Sequence, residues 1–256
     1  MDYESFFSDY TPHAKEMKDA AALVAKLQKL VDKDIAKGDT KAAAKDMAAL
    51  REAIENASAS AQALEESISS FDSKDYFTSG EFACQLVTHF AQLGVDIVGD
   101  APVYEVFPYK LRIDAENQDI YLNRKKFSTS RPSYIADLVK AELDKLQAAS
   151  FNAQKFASEL EKGYDICIAL QSKVQAGSPI MLKNIYSALV PIARLKSGYP
   201  EQAFAYDIAR LYSVADSVEL KSGHKIEFGT ERANAASYRI LDANGREQFL
   251  GSVRFY

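Results

Sequence analysis

The chain has 256 residues, with 31 basic and 36 acidic side chains and a net charge of −5. Apolar residues make up 47% and charged residues 26%, which excludes general disorder and leaves enough chain to bury a core unaided, as one large domain or two modest ones. Two cysteines exclude a disulfide framework and a four-cysteine zinc site, and no apolar run approaches the roughly 20 residues of a membrane span.

The charge is unevenly placed. Residues 1–75 hold 10 basic and 15 acidic side chains, and the remainder holds 21 of each. A strong basic excess, the usual footprint of a nucleic-acid binder, is absent except locally. The segment Met1 to Tyr10 is acidic and aromatic, unlike a signal or transit peptide, so the expected location is cytoplasmic, with no membrane contact. Its Tyr3, Phe6, Phe7 and Tyr10 suit either a docking peptide that orders on a partner or a terminus packed on its own domain.

The clearest periodicity follows. Ala43, Met47, Leu50, Ile54, Ala57, Ala61, Leu64, Ile68 and Phe71 alternate spacings of four and three, a heptad pattern. Upstream, Met17, Ala20, Val24, Leu27 and Val31 repeat it, and Leu23, Leu30 and Ile35 widen the stripe. Between the two helices, Gly38 suits a left-handed helix end, and Asp39 or Thr40 suits the next N-cap. A connection this short makes the helices antiparallel neighbours. Residues 12–72 are therefore expected to form an antiparallel coiled-coil hairpin. Alanine at several seam positions limits the area each contact buries, so the hairpin should lean on a partner, a second copy or the rest of the chain. The candidate partner-binding residues are Leu23, Leu30, Ile35, Met47, Leu50 and Ile54.

The remainder, residues 79–256, reads as one α+β domain beside a 1–78 arm. Ser79 suits the cap of a helix ending at Leu93 and Gly94. Short strands are expected at Val95 to Val98, Val103 to Phe107, Tyr109 to Asp114 and Ile120 to Asn123, with Pro108 marking an edge or bend. Helices follow from Pro132 to Leu146, Asn152 to Gln171, Ile180 to Val190 and Glu201 to Ser213. Strands at Val218 to Leu220, Lys225 to Phe228, Tyr238 to Asp242 and Gln248 to Phe255 close the chain, with Asn244-Gly245 as a hairpin turn. The order helix, helix, β-hairpins over residues 180–256 is winged-helix-like. The link from Pro191 to Pro200 is too long for a tight helix-turn-helix, and Glu201 to Ser213 offers phosphates little beyond Arg210.

Chemical motifs are sparse. His13, His89 and His224 are scattered and make no helical metal pair. Cys84 and Cys167 read as buried structural cysteines on apolar helix faces. Gly94 to Gly99 has the spacing of a phosphate loop, but Asp100 and Ala101 replace the Lys and Ser/Thr that hold phosphate and magnesium. Glu219-Leu220-Lys221 on an expected strand, with Asp207 and Asp216 upstream, faintly matches a magnesium-dependent nuclease. Lys110, Arg112, Arg124, Lys125, Lys126 and Arg131 interleave with Tyr109, Tyr121, Phe127 and Tyr134, the chemistry of a single-strand groove. Nearby Glu105, Asp114, Glu116 and Asp119 equally suit cross-strand ion pairs.

The leading expectation is a non-enzymatic subunit or adaptor of a multiprotein complex, binding a protein partner or itself through residues 12–72. The alternative is a nucleic-acid-binding accessory protein using Arg112, Arg124, Lys125, Lys126 and Arg131, and the lower alternative is the nuclease. No cofactor, metal ligand or catalytic residue is assigned.

Overall fold

In the computed structural model, the residues described are 2–171, 174–232, 234, 236–241 and 246–256. The protein mixes helix with two antiparallel sheets and opens with a long helical region. The chain gathers into a first unit of residues 1–89, 113–119 and 128–136, and a second of 90–112, 120–127 and 137–256.

The first unit is built on two long helices. Helix α1 spans Tyr3–Lys37, starting well before residue 12 and running through Pro12. Asp2 caps it by accepting from the N–H groups of Glu4 and Ser5 at 3.3 and 3.2 Å, which satisfies donors that a helix start otherwise leaves bare. Gly38 ends it with φ 74°, a conformation that costs a side-chain-bearing residue, and Asp39 N–H returns to the Asp34 carbonyl at 3.0 Å. Helix α2, Thr40–Ser69, starts at once, capped by Asp39 accepting from Ala42 N–H at 3.0 Å. The two pack along each other as expected of helices joined by so short a turn.

The side that α2 turns inward differs from the expected seam. Leu50 and Ala53 are buried, and Asp46, Ala57, Ser60, Leu64 and Ser67 are half-buried, again at spacings of four and three. Met47, Ile54 and Ile68 are each about half exposed, at 50%, 49% and 50%. Leu50, Ala57 and Leu64 keep the expected heptad position, and the other position sits one residue away, a rotation of about 100° on a helix. The small side chains Ala53, Ser60 and Ser67 take the place of larger apolar ones against α1, and the larger ones lie on the flank.

The N-terminal aromatics pack within their own unit. Phe6 stacks on Phe71 with centroids 4.4 Å apart, and Tyr3 meets Phe71 edge-on at 5.3 Å. Helix α3, Ser73–Thr78, adds Tyr76 and Phe77, and helix α4, Glu81–Gln92, adds Phe82, stacked on Phe77 at 4.3 Å. Each such pair contributes about 0.5–1.5 kcal/mol beyond area burial.

The first sheet orders its strands β1 (Val98–Asp100), β2 (Val103–Val106), β3 (Tyr109–Asp114), β4 (Asp119–Leu122) and β5 (Lys125–Lys126) in sequence. Pro108 marks a bend rather than an edge: Phe107-Pro108 is the two-residue turn between paired Val106 and Tyr109. Alternation sets the faces of β3, with Tyr109, Leu111 and Ile113 buried and Lys110 and Arg112 outward.

The larger core lies in the second unit. Helix α5 (Pro132–Ala148) starts in the first unit and ends in the second. Helix α6 (Ala153–Leu170) buries Phe156, Leu160, Tyr164 and Cys167 on one helical face. Strand β6 (Ile180–Met181) leads into α7 (Leu182–Leu189), the short α8 (Ala193–Lys196) follows, and α9 (Glu201–Tyr212) buries Phe204, Ile208 and Leu211. A Cβ on Gly163 would meet Ile185 Cγ2 and Leu189 Cγ at 2.8 Å, so glycine is what lets α6 and α7 approach this closely. The second sheet centres on the C-terminal strand β9 (Glu247–Phe255), which pairs with β6, with β7 (Ile226–Thr230) and with β8 (Tyr238–Leu241). The expected Asn244-Gly245 turn lies outside the described residues. Val218 to Leu220, expected as a strand, follows the 3₁₀ turn Ala215–Ser217 without pairing.

Candidate functional site

The predicted partner-binding residues divide by helix phase. Leu23 is 46% exposed, Leu30 36% and Ile35 65%, while Leu50, at 8%, belongs to the α1–α2 seam. Met47 and Ile54 join Ile68 in an outward row on α2, at spacings of seven and fourteen residues. Half-exposed large apolar side chains in register along a helix are more informative than scattered ones, because they offer one continuous strip. Ala61, half-buried, sits at the intervening position.

The start of α1 takes part in a polar network that the sequence does not signal. Glu4 accepts from Arg131 Nε at 2.8 Å and lies 2.7 Å from its Nη2, and Ser133 N–H donates to the same carboxylate at 3.3 Å. The Arg131 guanidinium also lies 3.9 Å from the Phe7 ring centroid. Burial pushes the Glu4 carboxyl up, but the Arg131 and Ser133 hydrogen bonds outweigh it and hold the group below the ordinary carboxylate range. His89 Nε2 stands 3.9 Å from the same carboxylate. Nothing in the spacing of Glu4 and Arg131, 127 residues apart, signals the pair.

The basic residues expected to touch nucleic acid fall into different settings. Arg131 is the Glu4 partner in the first unit. Arg112, Arg124, Lys125 and Lys126 are exposed in the second unit, where Arg112 lies 4.2 Å from the Tyr121 centroid. Lys110 stands across from Glu105 in the β2–β3 register, the expected cross-strand pairing of opposite charges. Burial raises the Glu105 carboxyl above its ordinary range, with Lys110 and Arg239 partly offsetting it.

A cleft of about 330 Å³ in the second unit is lined by Glu105, Lys110, Arg124, Lys183, Glu201, Tyr238 and Arg239. Several of its charged groups are already paired. Arg239 is 7% exposed and lies 2.7 Å from Glu247, Tyr238 donates to Glu201 at 3.1 Å, and Lys183 lies 3.4 Å from Glu201. Burial, with Glu201 adding to it, pushes the Tyr238 hydroxyl well above its ordinary range, so it stays a neutral donor. The arrangement ties helix α9 to strand β8 and presents no nucleophile paired with a base.

Two chemical expectations are corrected. Cys84 is exposed, because the buried face of α4 runs through Phe82, Leu86 and Phe90, and residue 84 lies about 200° around the helix from Phe82. Cys167 is buried, and burial pushes its thiol above the ordinary range. Glu219 and Lys221 lie off any strand, and the Asp207 carboxylate is engaged by the Tyr199 hydroxyl at 2.6 Å and by Arg210. Among the described residues, no three His, Cys, Asp or Glu side chains converge as a metal cluster. Among the described residues, no helix is long and apolar enough to cross a membrane.

Compared with protein-family models, with curated proteins and with solved structures, the chain matches none.

Proposed function

We infer that this chain is a non-enzymatic subunit or adaptor of a multiprotein complex, docking a protein through the N-terminal helical hairpin, read as an antiparallel coiled coil. The observation that carries this is the outward row Met47, Ile54 and Ile68, about half exposed while smaller residues close the seam behind it. Burying such a strip on a partner gains roughly 25 cal/mol per Å² of apolar area. A winged-helix-like use of residues 180–256 for protein contact is a further part of the reading, supported by the order α7, α9, then β7 to β9.

The test is affinity purification of the full-length chain from its native cells, compared with Met47→Glu/Ile54→Glu. Stoichiometric partners that are lost with the double variant, while its circular dichroism is unchanged, support the adaptor. Partners retained in full by the variant refute this surface.

A second reading, nucleic-acid binding, is supported by the exposed Arg112, Arg124, Lys125 and Lys126 beside Tyr121. It requires single-stranded oligonucleotide binding that weakens steeply with salt and is lost in Arg124→Glu/Lys125→Glu/Lys126→Glu. Unchanged binding in that variant removes it.

A further inference from the structure

The hairpin is electrically polarised along its length. Residues 26–51, around the turn, carry seven basic and four acidic side chains. Residues 2–25 carry two basic and five acidic, and residues 52–75 carry one basic and six acidic. The turn end is therefore positive and the root strongly negative. Because α1 and α2 are antiparallel neighbours, the basic end of each lies beside the basic end of the other, and the acidic ends likewise. The pairing of α1 with α2 does not relieve this layout, and at the root Arg131 offsets one of the carboxylates, Glu4.

Helix α2 shows the same polarity against its own backbone. Its first turn has no acidic residue and its last turn no basic one, whereas the helix dipole favours the reverse. Lys41, Lys45 and Arg51 stand exposed in its first half, and Glu52, Glu55, Glu65 and Glu66 stand exposed after them. Antiparallel neighbours can offset such an arrangement, and α1 is not the neighbour that does so.

We propose that the α2 face carrying Met47, Ile54 and Ile68 pairs antiparallel with the same face of a second copy of this chain. The proposal rests on the reading of the hairpin as a docking surface and names its occupant. The face is self-complementary in the way a two-fold interface requires. Turning α2 about the midpoint between Ile54 and Ala61 sets Met47 opposite Ile68 and brings Arg51 to the turn that carries Glu65. The basic end of each hairpin then lies over the acidic root of the other. Parallel pairing would instead stack Arg51 on Arg51 and Glu65 on Glu65. The row spans 22 residues, roughly 30 Å of helix. Its apolar side chains hold the contact, and the exposed charges, screened and individually weak, set its direction.

The experiment is sedimentation velocity of the full-length chain over a concentration series, joined to cysteine crosslinking in a Cys84→Ser background. A monomer–dimer equilibrium is expected, shifted to monomer by Met47→Glu/Ile54→Glu. Arg51→Glu should weaken the dimer by about tenfold, and adding Glu65→Arg should restore it. Ser58→Cys, close to the two-fold axis, should crosslink on mild oxidation, whereas Lys41→Cys, far from it, should not. A chain that stays monomeric at every concentration overturns the proposal. So does a dimer that survives Met47→Glu/Ile54→Glu, or one in which Lys41→Cys crosslinks as readily as Ser58→Cys. A monomeric chain whose cellular partners are lost with Met47→Glu/Ile54→Glu defeats self-association and leaves the adaptor reading standing. A dimer that responds as expected, with no cellular partner tracking these residues, supports self-association and defeats the adaptor.

Discussion

Helix α1 has 35 residues and buries one of them, Val31, while the 18-residue α6 buries six. Both are regular helices, so their regularity has different sources. The long helical region of the first unit is rich in Ala, Lys, Glu and Leu, strong helix formers, with Gly38 and Asp39 between α1 and α2. The helices of the second unit are held by tertiary burial around Leu160, Ile185, Phe204 and Ile208, none of which is exposed. A helix made by local preference leaves its faces available, and one made by burial does not. The first unit therefore keeps large apolar side chains such as Met47, Ile54 and Ile68 about half exposed.

The largest expected effect lies in the second core. Phe204 touches the rings of Phe156, Tyr186, Tyr199 and Tyr238, and Phe204→Ala should cost about 3–5 kcal/mol in urea unfolding. Leu50→Ala removes the largest buried side chain of α2, one that is still 8% exposed. It should cost only about 1–2 kcal/mol by the same measurement. Equal losses would break the contrast between the two regions. Hydrogen exchange should sharpen it, with amides near Leu50 exchanging faster than those near Leu160.

A smaller effect is expected at the hairpin root. The folded Glu4 carboxyl titrates below its unfolded value, so its contribution is full above the ordinary carboxylate range and fades as pH falls through the folded value. Both side chains of the Glu4–Arg131 pair are partly exposed, and Arg131→Ala should cost about 1 kcal/mol at neutral pH. That loss should shrink in acid, and a difference independent of pH would assign it to the Phe7 contact instead. The smallest effect is at the surface. Met47→Glu should change the stability of isolated monomer by no more than about 0.5 kcal/mol, read from the thermal midpoint at low concentration.

Much of the first unit was legible because its signals are local. The extent of α2, the left-handed Gly38 and the Asp39 cap each follow from neighbours a few residues apart, as does the alternation along β3. Which row of α2 faces α1 did not follow. Residues 46 and 47, 53 and 54, and 67 and 68 each fit the same four–three spacing, and apolar size favoured Met47, Ile54 and Ile68. Packing put Ala53, Ser60 and Ser67 inward because the choice depends on the shape of the facing helix, which spacing does not encode. Cys84 was misplaced for a related reason, since the buried arc of α4 is narrower than its apolar composition suggested. The union of Glu4 with Arg131 and that of Tyr238 with Glu201 are contacts between distant segments. Local preference acts over a few residues and sets where helices begin and end. Burial and charge pairing act through space, and only the folded chain decides which faces they close and which they leave open.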